Sequence, residues 1–263
     1  MRVLPSPCYI ISDAHLGYAP AEVESSLRAF LQSLRGRAGS VVINGDLFEF
    51  WFEWKSVIPR SGFRVLGALA DLADDGVPIL MIAGNHDCWG GDVLKRDAGV
   101  DYRFGPWEGE LAGWRTRLEH GDGLRPREDR GYRAIKHVLR NRLAIRAFRW
   151  LHPDIATPLA SHSSGASRAY ASRDEGRGLR EAAQLTAAAH PDRELVVFGH
   201  SHVAALDRLP GGALYGNAGS WLDAPTYLHV TPERVALREW NGSAEGPDLH
   251  AFDRAAKESL AKL

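Results

Sequence analysis

Five short motifs carry side chains suited to binding metal: Asp13-Ala14-His15, Gly45-Asp46, Gly84-Asn85-His86-Asp87, His120-Gly121-Asp122 and Gly199-His200-Ser201-His202. Together they offer Asp13, His15, Asp46, Asn85, His120, His200 and His202 as candidate ligands. Imidazole mixed with carboxylate suits Mn²⁺, Fe²⁺ or Zn²⁺, and a set without thiolate is unlike a structural zinc site. In Asp13-x-His15 and His200-x-His202 the two-residue spacing puts both side chains on one face of an extended segment. Two such pairs, an aspartate able to touch two ions and one amide make a site for a pair of cations. Paired cations clamp the attacking and leaving oxygens of an in-line displacement at phosphorus and supply hydroxide near neutral pH. Taken singly, each motif has an ordinary reading. Asp-x-His is common at surfaces, Gly-Asn-His-Asp suits a turn with a helix cap, and His-Ser-His suits a solvated loop. Their conjunction, in a workable order, selects the metal reading.

The elements that must carry these motifs follow from the pattern of apolar residues. Cys8-Tyr9-Ile10-Ile11, Val41-Val42-Ile43, Pro78-Ile79-Leu80-Met81-Ile82 and Leu195-Val196-Val197-Phe198 are short apolar runs that predict buried strands, each ending at a motif. Helices are predicted over Glu22 to Leu34 and Phe63 to Leu72, from apolar residues at helical spacing. Strand, helix, strand, helix, strand is the pattern of an α/β parallel sheet with right-handed crossovers, whose ligands collect at the carboxyl ends of the strands. Short strands are expected around Asp101-Phe104, Trp114-Glu119, Ala204-Arg208, Ala213-Tyr215, Thr226-Val230 and Val235-Trp240. The tail is polar from about Gly242, and a short helix is expected at Ala251-Leu260.

Between the fourth and fifth motifs the composition changes. Residues 125–149 hold nine Arg and Lys against Glu128 and Asp129, a net charge of +7. Tyr132, Ile135, Leu139 and Leu143 form an apolar stripe through them, which predicts one amphipathic helix. Further helices are expected at Leu151 to His162 and Arg177 to Ala189, with a turn at Ser163-Ser164-Gly165-Ala166-Ser167. Residues 125–190 thus read as a helical insertion in a single domain spanning 1–263. Its charges and stripe suit an anionic, lipid-linked ligand, or a core-packed helix with a solvated face. Trp51, Phe52 and Trp54 are open to the same two readings, substrate wall or core.

Composition narrows the setting. The 263 residues are 44% hydrophobic and 25% charged with a net charge of −1, as expected of an ordinary globular chain with no global attraction to nucleic acid. Two cysteines, Cys8 and Cys88, point away from a disulfide framework and toward a reducing cytoplasm. No stretch approaches the ~20 apolar residues of a membrane span, and Met1 to Pro5 lack a signal-peptide pattern.

The ordered motifs resemble those of the calcineurin-like metallophosphoesterase superfamily over residues 8 to about 240. The resemblance implies a four-layer αββα sandwich of two mixed β-sheets, in which the insertion forms a lid. It implies one metal on Asp13, His15, Asp46 and His202, a second on Asp46, Asn85, His120 and His200, and His86 beside the phosphate with Asp87 orienting it. Asp46-Leu47-Phe48-Glu49 before Phe50-Trp51, His120-Gly121-Asp122-Gly123-Leu124, and Ser164-x-x-Ser167-Arg168 are similar to the UDP-2,3-diacylglucosamine pyrophosphatase family of lipid A synthesis. The best-known branch of that family has Arg where this chain has His86. This closer resemblance implies two Mn²⁺ ions, hydrolysis to UMP and diacylglucosamine 1-phosphate, and a peripheral place on the inner face of the cytoplasmic membrane. It also implies substrate contacts from Asn85, Asp122, Arg125, Lys136, Arg140, Ser164, Ser167 and Arg168. A soluble phosphodiesterase acting on nucleotides or nucleic acid, and a metal-bearing scaffold without turnover, are the alternatives that the motifs leave open.

Overall fold

A computed structural model of the chain describes residues 2–125, 129–159, 174–243 and 245–254. The order of elements is β1 (Val3–Leu4), β2 (Cys8–Ile11), α1 (Ala21–Ser33), β3 (Ser40–Ile43), α2 (Phe63–Asp74), β4 (Ile79–Ile82), β5 (Val100–Arg103), β6 (Trp107–Leu111) and β7 (Trp114–Leu118). Then come α3 (Arg130–Leu139), α4 (Arg142–Phe148), α5 (153–159) and α6 (Arg177–Ala189). The chain finishes on β8 (Leu195–Phe198), β9 (Ala205–Arg208), β10 (Leu214–Asn217), β11 (Thr226–Val230), β12 (Arg234–Glu239) and β13 (Asp248–Asp253).

Two mixed sheets result. One runs β13-β12-β11-β2-β3-β4-β5 and the other β1-β6-β7-β8-β10-β9. The unbroken apolar runs are explained by what lies on either side of them. Strand side chains alternate faces. Cys8, Ile10, Val42, Leu80 and Ile82 point into the core between the sheets, where they meet Leu118, Leu195 and Val197. Tyr9, Ile11, Val41, Ile43, Ile79 and Met81 point the other way, against Leu27, Phe30 and Leu31 of α1 and Leu66, Leu69 and Leu72 of α2. On the second sheet, Val196 and Phe198 of β8 face outward onto Leu179 and Ala183 of α6. Helices, sheet, sheet and helix therefore stack as the four-layer αββα sandwich that the motifs implied. Strands covered on both faces lose any polar alternation, and this makes them conspicuous in sequence.

Two expectations need correction, and one strand lies outside them. The basic stretch 125–149 is not one helix. α3 ends at Leu139, and Asn141 caps α4, its side-chain oxygen accepting the N–H of Leu143 at 2.8 Å and of Ala144 at 3.3 Å. The tail is not helical at Ala251, because Asp248–Asp253 pairs antiparallel with β12. The polar residues there are cross-strand partners: Arg234 reaches Asp248 at 2.6 Å and Asp253 at 2.9 Å, and Arg238 reaches Asp248 at 2.7 Å. The rest of that expected helix lies outside the described residues. Finally, β6 was not anticipated, since Trp107–Leu111 carries Gly109 and two glutamates.

Residues 129–159, between β7 and α6, form a cap over the strand ends. Two indoles pin it to the core. Trp89 Nε1 donates to Leu139 O at the end of α3 (2.7 Å), and Trp54 Nε1 donates to Leu151 O (3.2 Å). Phe148 of α4 sits among Phe50, Phe52, Trp54 and Trp89, with ring centroids 5.0 to 6.4 Å away. The aromatic loop after β3 is thus mainly the cap's seat. Trp51 lies deeper, fully buried and stacked on Phe48 at 4.4 Å. By contrast α6, the last part of the 125–190 stretch, packs flat on the second sheet as an outer layer.

Candidate metal centre

All five motifs lie just past the carboxyl ends of strands, three in one sheet (β2, β3, β4) and two in the other (β7, β8). The site therefore straddles the seam between the sheets. Delivering a side chain inward from a strand end requires the chain to turn at once, and it does so by an uncommon route. Asp13, His15, Asp46, His200 and His202 all have left-handed backbone, with φ of 53°, 47°, 52°, 62° and 60°. Asp and His are among the residues that best tolerate this region. Five such residues at one place mark a functional site that the surrounding fold holds in shape.

The motif glycines make room. A Cβ on Gly45 would strike the imidazole of His120, one on Gly199 would strike Ser12 Oγ, and one on Gly84 would strike Asp46 Oδ1 and sit 2.6 Å from the Asp46 nitrogen. The last contact involves backbone that cannot rotate away. Gly84→Ala should therefore destabilise the protein by about 2–3 kcal/mol through overpacking, seen as a fall in Tm of roughly 8 °C. Gly67→Ala, where a Cβ meets nothing within 4 Å, is the control and should leave Tm unchanged or slightly raised. Equal melting of the two variants would show that Gly84 does not need its close approach.

Three groups of ligand-type atoms converge: Asp13 with His15 and His202, Asp46 with His120 and His200, and His15 with Glu49 and His86. In the first, His202 Nε2 lies 3.6 Å and His15 Nε2 4.0 Å from Asp13 Oδ1, and the two Nε2 atoms are 3.1 Å apart. In the second, His120 Nε2 is 3.2 Å from Asp46 Oδ2 and 3.3 Å from Asn85 Oδ1. Asp46 Oδ1 accepts the His86 N–H (2.9 Å), and Asp13 Oδ2 accepts the His200 N–H (3.1 Å), so each carboxylate ties its strand end to another motif.

The outer hydrogen bonds fix which nitrogen of each imidazole faces inward. His15 Nδ1 donates to Glu49 Oε2 (3.0 Å), His120 Nδ1 to Asn44 O (2.8 Å) and His202 Nδ1 to Asp223 Oδ2 (3.1 Å). Each leaves Nε2 as a lone-pair donor to the site. His200 is reversed, because its Nε2 donates to Asp129 Oδ1 at 3.2 Å and Nδ1 remains. A carbonyl or carboxylate behind each ligating imidazole is the usual support of a metal site. Asp13 Oδ1 is buried without a hydrogen-bond partner and faces two lone-pair nitrogens. Acceptors gathered without donors fit divalent cations.

The electrostatics agree. Burial alone would raise the Asp46 carboxyl, but His120, His86 and His15 reverse this and hold it well below the usual carboxylate range. Burial would lower His120 and His15, yet Asp46 pushes His120 well above its ordinary value, and Glu49, Asp46 and Asp13 push His15 up. The pocket thus favours positive charge at its centre, and protons and metal ions compete for it. His86 behaves otherwise. Burial lowers it, and its Nδ1 is held by Glu49 O at 3.1 Å, leaving Nε2 4.0 Å from Asp46 Oδ2.

The structure brings the seven ligand candidates and His86 together. Asp87 has a different task from the one implied for it. Its carboxylate accepts the Gly84 and Leu47 N–H groups, both at 2.8 Å, and so holds the loop, while Glu49 meets His86. Burial and the nearby Asp46 raise Asp87 to about 7. Lys136 and Arg140 converge on Asp122, at 3.0 and 3.3 Å, beside the metal groups. Arg125 is 1% exposed and is directed onto Asp129 and Asp174 rather than an open surface. Ser164, Ser167 and Arg168 lie outside the described residues. Glu49, Asp129 and Asp223 went unnoticed as supports in sequence. Glu49 had a local signal, as a carboxylate inside an otherwise apolar and aromatic run, and so had Asp223, the lone carboxylate between Arg208 and Glu233.

The fold and these groups define a class of metal-dependent phosphoesterases. The family model for calcineurin-like phosphoesterases matches residues 6–204, and the chain belongs to that family. It is 36% identical over 220 residues to a protein of Porphyromonas gingivalis named UDP-2,3-diacylglucosamine hydrolase, covering 75% of this chain and 84% of the relative. A protein of the same name from Aeromonas hydrophila is 28% identical over 242 residues, covering 87% and 96%. Among solved structures, vacuolar protein sorting 29 of Cryptosporidium parvum aligns over 94% of this chain and 97% of its own, with a TM-score of 0.47 and 13% identity.

Proposed function

We propose that the protein hydrolyses the pyrophosphate of UDP-2,3-diacylglucosamine at two Mn²⁺ ions, giving UMP and 2,3-diacylglucosamine 1-phosphate. The similarity to hydrolases of that name carries the substrate. The geometry supports the chemistry. Asp13, His15, Asp46 and His202 would hold one cation, and Asp46, Asn85, His120 and His200 the other. Bound there, the pair would supply hydroxide near neutral pH and neutralise phosphoryl charge. His86 turns Nε2 to the same face; burial keeps it neutral at rest, and an anionic substrate alongside would favour its protonation. Asp122 fixes Lys136 and Arg140, which line a cleft of about 610 Å³ between α3 and α4, a place for substrate phosphate.

Acyl chains should matter for rate. Each buried methylene contributes about 0.8 kcal/mol, so four of them give about 100-fold. The Mn²⁺-loaded protein should release UMP from the diacylated nucleotide at least about 100-fold faster than from UDP-glucosamine. Equal rates, or no UMP while simple phosphodiesters are cleaved, would instead point to a soluble nucleotide phosphodiesterase.

The cap also supports a peripheral place on the inner face of the cytoplasmic membrane. Among the described residues no helix is long and apolar enough to cross a membrane. The cap does expose Val138, Leu143, Trp150 (91%), Ile155 and Leu159 beside Arg142, Arg146 and Arg149. Basic residues near an anionic leaflet contribute about 1 kcal/mol each, and apolar side chains add to this. Sedimentation with phosphatidylglycerol vesicles should fall when Leu143 and Trp150 become serine; unchanged binding would refute this face.

A further inference from the structure

Both roots of the cap meet at one buried guanidinium. Arg125 Nε and Nη2 donate to Asp129 Oδ1 at 3.1 and 2.8 Å, and Nη1 reaches Asp174 Oδ1 at 3.4 Å. Asp129 precedes α3, where the chain enters the cap. Asp174 precedes α6, where the chain returns, and it accepts the N–H groups of Gly176 and Gly178 at 3.1 and 2.9 Å. A Cβ on Gly178 would lie 3.0 Å from Arg125 Cγ, so the helix start presses directly on this staple. Asp129 Oδ2 accepts the N–H groups of Gly123 and Arg125, both at 3.0 Å. The same Asp129 Oδ1 that Arg125 grips also takes the His200 Nε2–H at 3.2 Å, and Arg125 Nη2 itself lies 3.3 Å from that nitrogen.

We propose that Arg125 is a positioning residue that couples the cap to one metal position: it staples the cap's entry to its exit and, through Asp129, sets His200. The coupling rests on the reading of His200 as a ligand. A cation on Nδ1 of His200 withdraws electron density from the ring and strengthens the Nε2–H bond to Asp129. The Asp129–Arg125–Asp174 chain is then held more firmly, and both cap roots with it. Coupling of this kind is reciprocal, so whatever fixes the roots tightens that metal position. Without Arg125, the buried carboxylates of Asp129 and Asp174 lose the cation they share, and Asp129 loses the grip that fixes it behind the imidazole.

The test uses the full chain and Mn²⁺ alone. In the metal-stripped wild type, Mn²⁺ should slow tryptic cleavage at the basic residues of α3 and α4 as one of the two equivalents fills. Arg125→Gln should weaken one Mn²⁺ equivalent about tenfold, as loss of an outer support does, and keep the other within about twofold. Arg125→Lys, which keeps charge but not the fork, should recover part of this. Asp174→Asn, whose single oxygen can still accept one of the Gly176 and Gly178 N–H groups, should keep both affinities but lose the metal's protection of the cap. A wild-type cap cleaved equally fast with and without Mn²⁺ overturns the coupling, whatever the variants do. So does Arg125→Gln with both affinities intact, or with both lost together alongside a collapsed Tm. His200→Ala separates the two levels of the argument. If it still binds two Mn²⁺, the ligand reading itself fails; if it binds one while Arg125→Gln binds two normally, only the coupling fails.

Discussion

Asp46→Asn is expected to lower kcat/KM for phosphoester hydrolysis by on the order of 10³-fold or more, a loss of about 4 kcal/mol of transition-state stabilisation. Of the seven ligand candidates, Asp46 is the one proposed to serve both cations. The replacement is mild in every other respect. Asn keeps an oxygen for the His86 N–H bond that Asp46 Oδ1 accepts at 2.9 Å, so the loop of Gly84 to Asp87 should stay in place. What disappears is the negative charge between His120, His86 and His15. Circular dichroism should be unchanged and Mn²⁺ stoichiometry should drop below two. Glu49→Gln is the graded comparison. It keeps an oxygen for His15 Nδ1 but loses charge one step behind the ligand, where a loss of about 10- to 100-fold is usual. A variant of Asp46 with more than a tenth of wild-type activity would remove it from the bridging role.

Stripping the metal should cost the fold a large part of its stability. Asp13, Asp46, Glu49 and Asp87 are buried around one another, with an unpartnered oxygen on Asp13 and lone-pair nitrogens 3.1 Å apart on His15 and His202. Cations that bind only the folded state at about 100 times Kd add about 2.7 kcal/mol per site. Two sites then give about 5 kcal/mol, which in a chain of this size is roughly 10–20 °C in Tm. Scanning calorimetry of the chelated protein, verified metal-free by elemental analysis, should show that drop and its reversal by Mn²⁺. A Tm that ignores both would mean the acceptor cluster is neutralised by protons and holds no ion tightly. Acid should mimic chelation, because the imidazoles must be unprotonated to bind metal.

The contrast between what could and could not be read from sequence has a physical basis. Strands β2, β3, β4 and β8 stood out because both of their faces are covered, and every motif followed such a run or a short strand. Ligands of one centre must be chemically conspicuous, and Asp, His and Asn next to glycine are. Their supports need not be. Asp129 lies in a polar stretch among many other charged residues, Asp223 in a run with no other Asp, Glu, Lys or Arg between Arg208 and Glu233, and only folding carries them behind His200 and His202. Arg125 read as one more cation of a basic helix, whereas burial turned it inward. The split at Asn141 was hidden because the apolar stripe continues across it, while the break is made by a single side chain turning to cap α4. The last strand was missed because its partners are charged residues on β12, a pairing that no local pattern announces.

The left-handed backbone at Asp13, His15, Asp46, His200 and His202 bears on how this centre can drift over generations. As proposed ligands, each of these positions would pass two independent filters, a main chain that refuses β-branched residues and a cation that refuses anything without a suitable donor atom. Glycine satisfies the first filter and fails the second. Asparagine satisfies the first and, at Asp13 and Asp46, keeps an oxygen while losing the charge. A lineage that gave up hydrolysis could thus exchange these residues for glycine or asparagine at little cost to folding, keeping the shape of the centre after its chemistry had gone. A lineage in which Asp and His stand at all five is still constrained by the metal.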